Sequence, residues 1–307
     1  MARVDPAAIE ILRDLPKKHR DYLLRKFGGE LRKSWNQQRK FERIAELLGP
    51  NGVTRYVDLY LPGNGSLFTW YLGRDSAKNH VAAIYNRMTK DHPGILSGLF
   101  PKLTEDDLTP KLHRLHDYGN YIAVEFASLD ATRTFTVNWK TEKVHVDRLY
   151  RVVLRNNPFT IEVRASGDEN QDKLIGLIGD ESGIRKLKDA VTRCALSDAK
   201  RRNRLDRAMK ARFCGSDLDC SADGLSSMKL RSATGERMDA SGEYKKQMDR
   251  EGRDETRRSY EFVAQHIDGY DETAEYTVGV DSGEVRVSSG ASEIAIEKLR
   301  QHVVKLF

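Results

Sequence analysis

TAEYTVGVDSGEVRV, residues 273–287, places Tyr276, Val278 and Val280 at every second position, turns through Asp281-Ser282-Gly283-Glu284, and resumes the alternation with Val285 and Val287. A period of two puts alternate side chains on one face of a strand, and a short Asp/Ser/Gly turn returns the chain antiparallel. The stretch is therefore expected to be a β-hairpin with one buried face. Just beyond it, Ser292 is placed to cap a helix whose apolar stripe is Ala295, Leu299, Val303 and Leu306. Hairpin and helix should pack as one unit.

Similar chemistry recurs upstream. Tyr121–Phe126, Thr134–Trp139, Lys143–Val146 and Phe159–Ala165 are short runs rich in β-branched and aromatic residues, separated by turn formers. Connections this short imply antiparallel pairing. A helix at Asp172–Ile178 follows the last of these runs, repeating the strand-then-helix order of the C-terminus without a detectable sequence period. Gly183–Cys194 is predicted to be helical, with the basic run Ala199–Phe213 extending it. Residues 215–258 hold Ser, Asp, Gly, Lys and Arg with few apolar side chains, the composition of a polar loop or linker.

At the N-terminus, Ile9, Leu12, Leu23, Leu31, Phe41, Ile44 and Leu48 recur at helical spacing, broken by Pro16 and Gly28-Gly29. That pattern predicts a bundle of short helices, ended by Gly49-Pro50-Asn51-Gly52. A strand is expected at Tyr56–Leu61 and a helix at Ser76–Met88 carrying Val81, Ile84, Tyr85 and Met88 on one side. The expected fold is α+β: a small helical N-terminal domain plus a larger domain with an antiparallel sheet and flanking helices. Its divisions are a basic helical head at 1–49, a mixed region at 50–214, the polar segment 215–258, and a hairpin and helix at 259–307 that complete the larger domain.

With 39% hydrophobic residues among 307, the chain has material for a packed core. No run of about 18 apolar residues is present, and MARVDPAAIE lacks the basic and apolar regions of a secretory signal. The three cysteines, Cys194, Cys214 and Cys220, suit a reducing compartment better than a disulfide framework. These features predict an intracellular protein without a membrane partner.

The 52 basic and 46 acidic residues leave a net charge of +6, a mild excess whose clustering matters more than its sum. Between Lys17 and Arg43 lie ten lysines and arginines opposed only by Asp21, Glu30 and Glu42. Lys200, Arg201, Arg202, Arg204, Arg207, Lys210 and Arg212 form a second run opposed only by Asp206. Such clusters attract polyanions by neutralising phosphates and releasing counterions, and phosphate contacts carry little sequence information. Arg32, Lys33, Arg39, Lys40 and Arg43 are the leading candidate contacts, followed by Arg201, Arg202 and Arg204. Trp35, spaced helically from Leu31, is expected to pack in the head core.

The resulting expectation is a non-enzymatic protein that binds DNA or RNA, with duplex DNA favoured and the phosphate backbone as its target. A second reading is an assembly module docking a protein through its sheet edge or C-terminal helix. A third is a metal-dependent nuclease built on Glu125, Asp130 and Lys140, although Asn138 stands where an acid would be needed. No cofactor and no metal site are expected: His113 and His116 could share a helical face, but no CxxC or HExxH spacing accompanies them.

ILRDLP at Ile11–Pro16, WNQQRKFERIAELL at Trp35–Leu48, and the order of strands around YIAVEF and FTVNW before VRVSSGASEIAIEKLRQHV together resemble the centromere protein N family. The resemblance is one of element order and implies a pyrin-like head that binds nucleosomal DNA, joined to a sheet-rich assembly domain. The family's Arg-Lys pair falls on Arg39 and Lys40. The acidic head residues that would read a histone surface have no match, so histone recognition does not carry over.

Overall fold

A computed structural model describes residues 9, 12–13, 15–57, 67–74, 80–96, 109–119, 121–137, 140–165, 168–184, 186–220, 227–232, 237–249, 254–265, 269–288 and 290–307. Among the elements whose bounds are described, the helices α1 (Lys17–Lys26) and α2 (Gln37–Val57) come first. Between them lies a 3-10 turn at Gly28–Glu30. They are followed by β1 (Leu67–Gly73), α3 (His80–Asp91), β2 (Lys111–Asp117), β3 (Tyr121–Val137), β4 (Lys140–Arg155), β5 (Thr160–Arg164), α4 (Asp168–Ser182) and β6 (Val191–Arg193). The chain continues through α5 (Ala199–Met209), β7 (Arg212–Asp219), β8 (Met228–Arg231), α6 (Gly242–Met248), β9 (Asp254–Gln265), β10 (Asp271–Gly279), β11 (Val285–Val287) and α7 (Glu293–Val304). This is the expected α+β architecture, all of its described strand pairs antiparallel.

The chain divides into two compact units: Met1–Gly65 with Leu196–Leu306, and Ser66–Ala195 with the terminal Phe307. The C-terminal hairpin and helix fall in the same unit as the head. Tyr270, just before β10, lies 4.6 Å from the ring of Tyr22 and 5.1 Å from that of His19, both on α1. These ring contacts pack the head against the strand that starts at Asp271.

Within this unit the strands run β11-β10-β9-β7-β8. Phe213, Tyr260 and Tyr276 form its inner face, with Tyr260 and Tyr276 stacked at 5.1 Å. Helix α7 packs on β9, and α5 packs on α7. Ser292 caps α7 as expected, its Oγ accepting from the Ala295 amide at 3.2 Å, and Ala295, Leu299 and Val303 are fully buried. Buried Glu272 in turn accepts from the Ser292 amide at 2.8 Å and from its hydroxyl. A separate cluster of Leu12, Leu15, Leu23, Phe41, Ile44 and Tyr56 fills the head.

In the second unit the order is β2-β3-β4-β5-β1, with β6 also pairing β1. Three of the expected short strands join into the long hairpin β3–β4, whose register shifts between Ser128 and Ala131. Trp139 lies outside the described residues. On one sheet face Val124, Phe126, Val152, Leu154, Ile161 and Val163 pack with Val81, Ile84 and Met88 of α3 and with Leu174, Ile175 and Ile178 of α4. The other face buries Glu162, which accepts from Trp70 Nε1 and from Arg164 Nε, each at 2.8 Å, with Arg155 at 3.7 Å. Burial would raise this carboxyl, but Arg164 and Arg155 hold it below the ordinary range.

Several local expectations yield to long-range pairing. The segment 215–258 contains most of β7, all of β8 and α6, and the start of β9, because residues spaced apart in sequence here hydrogen-bond to one another. Val191–Arg193, expected helical, pairs with β1 as a strand. Gly49, at φ 67°, stops the first helical segment of α2 as expected, but a second segment follows it through Val57. Pro50 fits that restart, since the first turn of a helix needs no amide donor from it. Tyr56 and Val57 are thus helical, while the rest of the strand expected at Tyr56–Leu61 lies outside the described residues.

Candidate nucleic-acid interface

The head presents its cations because its apolar period is used for packing. On α2, Phe41, Ile44 and Ala45 point into the core with Leu23 of α1, leaving Arg39 on the exposed side and Arg43 half-buried. Asn36 caps this helix, its Oδ1 accepting from the Arg39 amide at 2.9 Å. The cap fixes the direction in which the preceding turn, residues 31–35, meets the helix.

Trp35 departs from expectation. It is only half-buried and lies outside the head cluster, because the chain before Asn36 is a turn and the helical spacing from Leu31 does not exist. The guanidiniums of Arg32 and Arg39 each lie 5.7 Å from its ring centroid. Such contacts are worth about 0.5–1 kcal/mol each at exposed sites, enough to bias two long side chains toward one arrangement. Arg32, Lys33 and Arg39 are exposed and Lys40 is half-buried. Among the described residues no carboxylate pairs with any of these four. Arg43 differs, standing 3.0 Å from Glu46 and 3.9 Å from Glu30, so its charge is largely answered within the protein.

The second basic run divides differently. Arg202 is 7% exposed and its Nη1 donates to the carbonyls of Leu196, Ser197 and Val280 at 2.9, 2.5 and 2.8 Å. It ties α5 to the chain before it and to the end of the C-terminal hairpin, so it is corrected from surface contact to structural staple. Leu205 and Met209 also face inward. Arg204 is exposed, Arg201 half-buried. Arg212 belongs to β7 and pairs with Glu261 at 2.6 Å.

Of the residues of the nuclease reading, only Glu125 has a described side chain. Glu125 is buried against Arg151, with His116 Nε2 at 3.8 Å. Burial would raise its carboxyl, but the His116 and Arg151 contacts bring it down to about 2. The side chains of Asp130 and Lys140, and Asn138 altogether, lie outside the described residues. His113 and His116 sit on β2, so the helical face that their spacing would have allowed them to share is not formed. Among the described residues no three of His, Cys, Asp and Glu stand where they could hold a metal ion, and no helix is long and apolar enough to cross a membrane. All three cysteines are free and buried.

Sequence reasoning passed over a further group, Lys229, Arg231, Arg257 and Arg286, which one sheet face collects from three strands, β8, β9 and β11. No linear cluster marks it; the only signal is that each residue occupies the polar position of a strand's alternation. No protein-family model matches the chain, and no curated protein matches it either.

Proposed function

We propose that this protein binds nucleic acid, duplex DNA foremost, through its phosphate backbone and without catalysis, and that the head is its principal contact. The observation that carries the reading is Trp35 flanked by Arg32 and Arg39, next to Lys33 and Lys40, with no acid among the described residues pairing these cations. An indole outside the core that steadies two guanidiniums reduces the side-chain entropy lost when they meet phosphates. Since both guanidiniums already lie near its ring, Trp35 is not an open platform for an unpaired base, which favours a duplex over a single strand. The resemblance of Arg39 and Lys40 to the Arg-Lys pair of the centromere protein N family supports the same assignment.

The test is fluorescence anisotropy of the full chain with duplex DNA, single-stranded DNA and RNA across a salt series, beside the Arg39→Glu/Lys40→Glu variant. Loss of two phosphate contacts should weaken binding to all sequences and reduce the slope of log K against log salt by about 2. Unchanged binding by the variant would remove the head from the account.

A further inference from the structure

The unit that contains the head also carries an antiparallel sheet with one packed and one open face. Strand register places Arg286 of β11 beside Thr277 of β10, Thr277 beside Ser259 of β9, Ser259 beside Gly215 of β7, and Gly215 beside Arg231 of β8. This row crosses five strands and spans about 19 Å at a strand spacing of about 4.8 Å. The parallel row two residues away runs Gly279, Arg257, Asp217 and Lys229. Together they frame a shallow cleft of about 310 Å³, floored by small hydroxyl side chains and rimmed by four cations and the two acids Asp217 and Glu275.

The charges on the rim are unevenly answered. Arg231 pairs with Glu275 at 2.8 Å. Lys229 and Arg257 share Asp217 at 3.9 and 4.0 Å, so one carboxylate faces two cations. Arg286 is exposed and has no acidic partner among the described residues. The cleft therefore has a local excess of two positive charges over a floor of Ser259 and Thr277, which hydrogen-bond to each other at 3.0 Å.

We infer that this open sheet face is a second binding surface for the phosphate backbone of nucleic acid, separate from the head. The chemistry selects that partner over an acidic protein. Phosphate and sugar oxygens are met by Arg, Lys, Ser and Thr, whereas protein interfaces depend on buried aromatic or aliphatic anchors. The rim and floor offer cations and hydroxyls, with Val287 as the one apolar side chain along the cleft. Because no aromatic lines it, bases are not stacked, and the contact is indifferent to sequence.

Arg286→Glu/Lys229→Glu in the full chain tests this, measured by anisotropy on a 30-base-pair duplex and its single strand across a salt series, with Arg286→Gln/Lys229→Gln as a milder pair. Thermal unfolding is recorded for both so that a folding defect is separated from a binding one. The expected result is a salt slope shallower by about 2 and binding several-fold to tens-fold weaker on every sequence, with the Gln pair intermediate. A slope and affinity equal to those of the unsubstituted chain would overturn the inference. So would loss of poly-L-glutamate binding with duplex binding intact, since the face would then be a protein dock. If the head variant binds normally and the sheet variant does not, the head reading fails while this one stands; the opposite pattern sinks this one alone.

Discussion

A Cβ built on Gly215 would lie 2.8 Å from Cδ of Arg231, because the arginine side chain lies across the glycine on its way to Glu275. The two residues face each other on β7 and β8. Real Cβ contacts are not that close, and the carbonyl oxygen of Leu230 would lie 3.1 Å from the same atom. The absent side chain at 215 is therefore what lets Arg231 cross the strand.

Gly215→Val should lower stability by about 1–3 kcal/mol through overpacking. In a double-mutant cycle, Arg231→Ala should recover part of that loss, since the obstruction is the arginine. Urea unfolding of the four proteins measures the coupling. Strict additivity would show that Leu230 or the backbone, not Arg231, sets the limit.

Arg202→Ala leaves the carbonyls of Leu196, Ser197 and Val280 without their guanidinium donor. A loss of about 2–4 kcal/mol is expected on chemical denaturation, given the cost of unsatisfied buried polar groups. Arg204→Ala, at an exposed position of the same helix, should cost under about 0.5 kcal/mol. Equal effects at the two positions would contradict the staple role.

Glu125 gives the second unit an acid-sensitive contribution. Its folded-state carboxyl, at about 2, lies below the ordinary carboxylate value near 4.5. The stabilisation is therefore complete above about pH 4.5 and is lost as pH falls toward 2. Unfolding free energies of the unsubstituted protein and Glu125→Gln should differ most at pH 6, by less than half as much near pH 3, and converge only as pH falls to about 2 and below. A difference that stays constant over this range would mean that the Arg151 contact is not electrostatic.

Ser292→Ala removes both the cap of α7 and a donor to buried Glu272. The expected cost is about 1–2 kcal/mol, and Ser292→Thr should retain most of it. Thermal unfolding distinguishes them, and a neutral Ser292→Ala would show that the cap contributes nothing to the unit.

The elements that followed from sequence are those whose signal is local. The hairpin of β10 and β11 and the capped α7 are encoded by a period of two, an Asp-Ser-Gly turn and one serine, all within about a dozen residues of the atoms they organise. Helices α3 and α4 were legible for the same reason, their buried faces repeating at three and four residues. Positive charge in the head was legible because the cations are adjacent in the chain.

What tertiary structure decided was set by partners distant in sequence. Val191–Arg193 became a strand because β1 offered it hydrogen bonds, and the polar stretch after Gly215 was ordered by β9. Arg202 carries the same chemical signature as Arg204, and what separates staple from surface is a set of carbonyls, those of Leu196 and Ser197 and that of Val280, 78 residues away. Trp35 left the core because the turn before Asn36 carries it out of the helical period that Leu31 had suggested. The cations of the open sheet face come from three strands, and no short window along the chain contains them together. Composition and spacing specify which side chains can pair; which of them meet depends on how the backbone returns, and that information is distributed over the whole sequence.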